Sequence, residues 1–232
     1  MHIMSIYRGH TCKLMSSDIL SIRQRIPFDV FDYATLMSAL SGYRKPRDKI
    51  TKLLAGGNVV RIKKGLYFFG DALRKQPLSR EYLANLIYGP SYVSLEYALA
   101  FHSLIPERVE TVTSVTIRRS RDFSTPVGEF SYRMLTEGRY EYGADLIETA
   151  GVTFLIATPE KALSDRVWTD KRLKGTSVSI LETYLFEDLR IDPERIAEFD
   201  LERLSGIAEA YGSRKIDGLM RCVEKLRSRS YA

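Results

Sequence analysis

The chain has 232 residues, of which 44% are hydrophobic and 28% are charged, with a formal net charge of +6. This composition is that of an ordinary soluble globular protein and excludes a low-complexity chain. No run approaches the roughly 20 apolar residues that a membrane helix needs, so we expect no membrane partner. The length exceeds that of one small domain and predicts two, at residues 1–76 and 77–232.

The charge is divided unevenly between the two halves of the sequence. Residues 1–80 contain 15 lysines and arginines against 5 aspartates and glutamates, whereas residues 81–232 contain 20 against 24. This asymmetry indicates that the basic half binds nucleic acid. Cys12 and Cys222 lie far apart with no CxxC partner, and Met1–Ser21 lacks the continuous apolar core of a signal peptide. We therefore expect no zinc site and a cytoplasmic protein.

The sequence of residues 17–70 predicts three helices and a hairpin. Met1–Met15 shows no clear periodicity of apolar residues. The predicted helices are Ser17–Arg25, Asp32–Leu40, and a third that starts at Pro46 and ends before Gly56. An aspartate accepts well from the free amides of a first helical turn, and proline is tolerated at the first helical position. Val59–Ile62 and Leu66–Phe69 are rich in β-forming residues and are joined through Lys63-Lys64-Gly65, which indicates a hairpin with a basic tip.

The order helix, turn, helix, hairpin over residues 32–70 predicts a winged helix-turn-helix. In that fold the second helix enters the DNA major groove, and the hairpin, or wing, lies on the phosphate backbone. Lysine and arginine pair with phosphates and with guanine edges. The predicted major-groove and backbone contacts are Arg44, Lys45, Arg47, Lys49, Thr51 and Lys52. The predicted wing contacts are Arg61, Lys63 and Lys64. The alternative is a small helical domain that binds protein and carries ordinary solvated lysines.

Residues 77–232 predict a small mixed sheet covered by helices, with a helical C-terminal end. Ser94 is the predicted cap of a helix over Leu95–His102, whose inward face includes Ala98, Leu99 and Phe101. The other predicted helices are Ser79–Tyr88, one that Thr158 caps, Ser177–Asp188, two that open at Asp192 and Asp200, and Ser213–Arg227. The predicted strands are Thr111–Ile117, Phe123–Ser124, Gly128–Leu135 and Ile147–Ala157, and within the last run Val152–Ala157 is predicted to be a buried central strand. The whole chain is therefore predicted to be α+β.

No catalytic motif is present in the sequence. It lacks HExxH, GxSxG, the phosphate-binding GxxxxGK[ST] and GxGxxG. Glu160, Lys161 and Asp165 follow a predicted strand and resemble a nuclease cluster, but a capped, charged first helical turn explains them better. His102 is expected to be a helix-terminal or domain-interface group. We therefore expect a non-enzymatic protein with no cofactor and no metal.

A second basic cluster, Arg118, Arg119 and Arg121, follows the predicted strand over Thr111–Ile117. It has two interpretations. The arginines are either a further DNA-contacting patch or side chains at a strand end that face water.

Four sequence motifs resemble the AbiEi antitoxins of abortive-infection, type IV toxin–antitoxin systems. They are YVSLEYALAFHSLIPE at Tyr92–Glu107, TVTSVT at Thr111–Thr116, GEFSY at Gly128–Tyr132 and IATPEKALSD at Ile156–Asp165. The glycine-and-tyrosine wing of that family is matched by Gly65-Leu66-Tyr67. The family often has His-Gly where this chain has His102-Ser103.

The resemblance implies a transcriptional regulator whose winged helix binds inverted repeats in its own promoter and represses the operon. It also implies an antitoxin that counteracts a nucleotidyltransferase toxin through the C-terminal domain, without a need for direct contact. Two alternatives remain at this stage. One is a winged helix that binds only protein, and the other is a nucleic-acid-processing enzyme that uses Glu160 and Asp165.

Overall fold

The computed structural model describes residues 17–230, and the expectations for Met1–Met15 and Cys12 lie outside that range. The described residues have a mixed α+β fold, which confirms the predicted class. They form two compact units that divide between Gln76 and Pro77. Within residues 17–230, no helix combines the length and apolar character required to cross a bilayer.

The first unit begins with helices that the sequence predicted closely. Its elements are α1 (Ser17–Arg25), β1 (Val30–Asp32), α2 (Tyr33–Ala39), α3 (Pro46–Ala55), β2 (Val59–Lys63) and β3 (Leu66–Phe69). The Asp32 carboxylate accepts from the amide of Thr35 at 2.8 Å, which caps α2 as predicted. Pro46 occupies the first turn of α3, where its missing N–H costs nothing.

A three-stranded antiparallel sheet in the order β1-β3-β2 closes this unit. The predicted hairpin of β2 and β3 is confirmed, with a register shift between Arg61 and Lys63. The sequence analysis missed β1, because three residues are too few to show an alternating pattern. The helices and the sheet bury one core, whose largest members are fully or almost fully enclosed. They include Ile22, Ile26, Leu36, Leu40, Leu53, Val59 and Phe69.

The second unit is built on a mixed six-stranded sheet in the order β6-β7-β5-β4-β9-β8. Its strands are β4 (Ser91–Val93), β5 (Val112–Thr116), β6 (Arg121–Thr125), β7 (Gly128–Met134), β8 (Ala144–Thr149) and β9 (Val152–Ala157). The strand predicted over Val152–Ala157 is confirmed as β9, whereas the wider run predicted over Ile147–Ala157 spans a hairpin of β8 and β9. Ala150 and Gly151 form its two-residue turn, and both have positive φ angles, of 51° and 76°.

Helices cover this sheet and continue to the C-terminal end. They are α4 (Arg80–Ile87), α5 (Leu95–Phe101), α6 (Glu137–Tyr140), α7 (Pro159–Thr169), α8 (Val178–Thr183), α9 (Pro193–Ala197), α10 (Leu201–Tyr211) and α11 (Arg214–Ser230). The α8 helix continues into a π-helical turn over Tyr184–Asp188. Thr158, Ser177, Asp192 and Asp200 each cap the helix that follows through the side chain.

Two expectations for α5 are wrong. The side chain of Ser94 does not cap this helix. It donates to the carboxylate of Asp165 at 2.6 Å, and the amide of Tyr97 in the first turn donates to the hydroxyl of Thr113 at 3.0 Å instead. Phe101 does not face inward and is 39% exposed, whereas Ala98 and Leu99 are buried as predicted.

Candidate nucleic-acid interface

The α3 helix presents one exposed polar face and one buried apolar face. Ile50 and Leu53 pack into the core of the first unit. Arg47, Thr51 and Lys52 are all exposed, and Arg47 and Thr51, four residues apart, share one helix face. The hydroxyl of Thr51 donates to the carbonyl of Arg47 at 3.2 Å, one turn earlier. This face offers a cationic and hydroxyl surface of the kind that contacts phosphates and base edges.

The turn before α3 adds two more cations to that surface. Arg44 and Lys45 are both exposed. Lys45 occupies the N-cap position without a side-chain cap and lies 4.0 Å from the carboxylate of Asp48. Two groups that are this exposed attract each other weakly, so Lys45 keeps its charge available to a ligand.

Lys49 differs from the other predicted contacts because its ammonium is used inside the unit. It donates to the carboxylate of Asp18 on α1, and the hydroxyl of Tyr43 donates to the other oxygen of the same carboxylate. The Lys49 ammonium also lies over the ring of Tyr43, 5.1 Å from its centroid. Hydrogen bonds from Lys49 and Tyr43 hold the pKa of Asp18 below its ordinary value. Lys49 was predicted to contact DNA, and in the structure its ammonium joins α3 to α1.

The hairpin of β2 and β3 carries the remaining predicted contacts. Arg61 and Lys64 are exposed and Lys63 is half-buried. Gly65 closes the tip with a φ angle of 88°, which glycine adopts without steric cost. The β3 strand behind the tip is buried along its length, so the tip is a short basic projection on an apolar base.

The acidic side chains of the first unit are all engaged in internal contacts. Within residues 17–76, these carboxylates pair with Lys49, Arg23, Lys45 and Arg74 or cap α2. They are Asp18, Asp29, Asp32, Asp48 and Asp71. Five of the predicted DNA contacts form no ion pair with any described residue: Arg44, Arg47, Lys52, Arg61 and Lys64. The first unit therefore has exposed positive charge that its own carboxylates do not neutralise.

The arginine cluster of the second unit is also exposed. The guanidinium of Arg118 lies 5.8 Å from the ring centroid of Tyr88, and that of Arg121 lies 4.9 Å from the centroid of Phe123. The hydroxyl of Tyr88 donates to the carbonyl of Arg119, which fixes the segment between β5 and β6. Among the described residues no carboxylate forms an ion pair with these three arginines. Their role in DNA binding stays a prediction.

Glu160, Lys161 and Asp165 are buried, which the sequence analysis did not foresee. They are 4%, 0% and 0% exposed. The ammonium of Lys161 lies 2.9 Å from both the Asp165 carboxylate and the Tyr211 hydroxyl, and it also donates to a backbone carbonyl. Glu160 accepts from the amide of Asp200 at 3.0 Å and lies 3.5 Å from Arg203. Glu160 and Lys161 therefore lie in a capped, charged first turn of α7, as predicted, but all three groups are enclosed by the second unit.

The Asp165 carboxylate is the centre of this buried network. It accepts from the hydroxyls of Ser94, Tyr92 and Tyr211 in addition to Lys161. Burial, followed by the negative charge of Asp165, raises the pKa of Tyr92 and of Tyr211 well above the usual value. Burial lowers the pKa of the Lys161 ammonium, and the Asp165 charge opposes that effect.

His102 caps the end of α5, and its Nε2 lies 2.8 Å from the carbonyl of Ala157. This confirms its expected position at a helix terminus. Within residues 17–230, no three histidine, cysteine or acidic side chains lie close enough together to hold a metal ion. Cys222 is buried in the second unit, and burial raises the pKa of its thiol to about 11.

The distant partners of Lys49 and of Asp165 could not be predicted from the sequence. Asp18 lies 31 residues from Lys49, and Tyr211 lies 46 residues from Asp165. The one available signal was Lys161 four residues before Asp165, a spacing that places the two on one helix face. The chain matches no protein-family model, and no curated protein is significantly similar to it.

Proposed function

We propose that this protein is a DNA-binding transcriptional regulator whose residues 17–76 form a winged helix-turn-helix. The order of elements, with α2 and α3 joined by a short turn and followed by the β2–β3 hairpin, supports the proposal. In that arrangement α3 is the helix that enters the major groove, and the hairpin is the wing.

The surplus of exposed cations is the observation that carries this proposal. Arg44, Arg47 and Lys52 belong to α3 and the turn before it, and Arg61 and Lys64 belong to the hairpin. Arginine and lysine side chains without a carboxylate partner are the groups that replace counterions on a phosphate backbone. Because Lys49 is already paired with Asp18, we assign it to the stability of the unit and not to DNA contact.

The test is a binding titration of the purified full chain on a labelled duplex from upstream of its own gene, over a salt series. An unrelated duplex of the same length serves as the second ligand. The variant Arg47→Ala with Lys52→Ala removes two exposed charges from α3. The matched control, Lys171→Ala with Lys174→Ala, removes the same charge from exposed positions in the second unit.

We expect tight, salt-sensitive binding to the upstream duplex. The α3 variant should weaken it and reduce the slope of log affinity against log salt by about one unit per lost phosphate contact. The control variant should bind like the wild type. Equal affinities of the wild type and the α3 variant would refute the assignment of α3. Absence of binding to either duplex at low salt would favour a protein-binding module.

We further propose that the protein is the antitoxin of a type IV system, a role that rests on the sequence resemblance alone. In that case co-expression should restore growth of cells that express the nucleotidyltransferase toxin encoded beside it. The α3 variant should still restore growth, because toxin neutralisation in the AbiEi family is tied to the C-terminal domain. Failure of the wild type to restore growth would remove the antitoxin role and leave the DNA-binding proposal intact.

A further inference from the structure

The β8 strand forms one edge of the six-stranded sheet. Among the described strands it pairs with β9 alone, through six consecutive residue pairs without a bulge. Natural sheets usually protect such edges with lysine, proline or a bulge, since unpaired N–H and C=O groups attract another strand. The β8 sequence contains neither lysine nor proline. The opposite edge strand, β6, begins with Arg121 and is followed closely by Pro126.

The register identifies which backbone groups of β8 point outward. The backbone amide of Leu155 on β9 donates to the side-chain oxygen of Asn85 at 2.7 Å, and the carbonyl of Leu155 accepts from the side-chain nitrogen of Asn85 at 3.2 Å. Leu155 and its partner Leu146 therefore form a non-hydrogen-bonded pair. In such a pair the N–H and C=O of Leu146 point away from β9, and by alternation those of Ala144 and Glu148 do so as well.

The side chains beside these groups form an apolar contact surface. Leu146 is 67% exposed and Leu155 is 38% exposed. As a directly opposed cross-strand pair they lie on the same side of the sheet. If another strand paired with the outer edge of β8, the residue opposite Leu146 would cover the Leu146 side chain with its own side chain.

The charged side chains of β8 are both negative. They are Asp145 and Glu148, and the strand contains no lysine or arginine. Asp145 and Glu148 are exposed, and neither forms an ion pair with any described residue. A second copy of β8 would bring the same two carboxylates and no cation to the interface, so charge disfavours self-association through this edge.

We propose that the β8 edge binds an extended basic segment of a partner protein by strand addition. In the bound segment an apolar residue pairs with Leu146, and lysine or arginine residues lie opposite Asp145 and Glu148. Backbone hydrogen bonds supply the binding energy, and the alternating side chains supply the selectivity. This interaction is independent of the proposed DNA binding by the first unit.

The probe is a fluorescein-labelled peptide, Thr-Lys-Val-Leu-Lys-Thr, whose antiparallel register places its lysines opposite Glu148 and Asp145. The control peptide replaces both lysines with glutamate. Fluorescence anisotropy with the full chain should show at least tenfold tighter binding of the lysine peptide. The variant Asp145→Lys with Glu148→Lys should reverse this preference. The matched variant Glu209→Lys with Glu224→Lys, which makes the same charge change at exposed helical positions, should not.

Hydrogen exchange locates the contact. The lysine peptide should slow exchange of the amides of Ala144, Leu146 and Glu148, and Leu146→Pro should abolish binding because it removes an outward donor only. If Leu146→Pro does not fold, the peptide preference of the Asp145→Lys with Glu148→Lys variant still tests the proposal. Equal binding of both peptides, or protection confined to other segments, would overturn the proposal. If the wild type does not bind the peptide but forms a dimer, and Leu146→Pro abolishes that dimer, the β8 edge binds a second copy of this chain and not a partner protein.

Discussion

The buried pair of Lys161 and Asp165 allows a quantitative prediction about the stability of the second unit. Both side chains are fully buried, so the replacement Lys161→Met leaves an uncompensated carboxylate among three hydroxyl donors. Removal of one partner of such a pair typically costs about 3–5 kcal/mol. Whole domains are stable by only about 5–15 kcal/mol, so this loss is a large fraction of the total.

The size of the effect can be checked with a double-mutant cycle. Asp165→Asn should also cost about 3–5 kcal/mol, because it leaves the Lys161 ammonium without a counter-charge. The double variant, Lys161→Met with Asp165→Asn, buries no net charge. It should therefore be more stable than the sum of the single effects predicts, by up to about 3 kcal/mol.

The assay is urea unfolding followed by tryptophan fluorescence. Trp168 is the one tryptophan of the chain, and it belongs to the second unit, where its ring centroid lies 5.9 Å from that of Tyr211. The control is Lys225→Met, which breaks a partly exposed pair with Glu182 and should cost no more than about 1 kcal/mol. Unfolding of Lys161→Met at the wild-type urea midpoint, or additive single effects, would refute the reasoning.

Three further predictions concern other contacts. Stability should fall as the pH rises above about 10, by up to about 1.4 kcal/mol per pH unit for each of Tyr92 and Tyr211, because only the unfolded phenols then release protons. In urea unfolding, Tyr211→Phe should make the loss of stability with rising pH shallower. An unchanged dependence of stability on pH would contradict the raised pKa of Tyr211 as its cause. Asn85→Ala should cost about 0.5–1.5 kcal/mol in the same assay, since it removes the hydrogen bonds of Asn85 to the exposed backbone amide and carbonyl of Leu155. Lys49→Ala should lower the melting temperature of the isolated residues 1–76 through the lost contact with Asp18, whereas a Lys52→Ala variant that melted equally early would contradict this.

The sequence determined most helix boundaries because the groups that set them are close along the chain. Asp32, Thr158 and Asp200 each accept from amides two or three residues later, so a capping residue before an apolar period was enough to place the helix. The alternating pattern of Val112–Thr116 likewise placed β5. Val152–Ala157 was also placed as a strand, but the turn before it was missed because Ala150 is an uncommon residue at a positive φ angle.

The sequence also determined the uneven distribution of charge, but not the role of each charged residue. Local patterns could not distinguish Lys49 from Lys52, although one is paired with Asp18 and the other is exposed. The sequence around Lys161 and Asp165 correctly predicted a capped, charged helical turn but not that it is buried. Their burial depends on Tyr92, Ser94 and Tyr211, which lie 46 to 73 residues from Asp165 along the chain.

Only the tertiary structure decided these roles, because the position of a side chain relative to the core depends on distant elements. The same is true of β8, whose exposed edge follows from the order of six strands and not from its own sequence. Hydrogen bonds within one turn are encoded by neighbouring residues. Burial, ion pairing and strand order depend on which elements pack together and so on which apolar surfaces are removed from water.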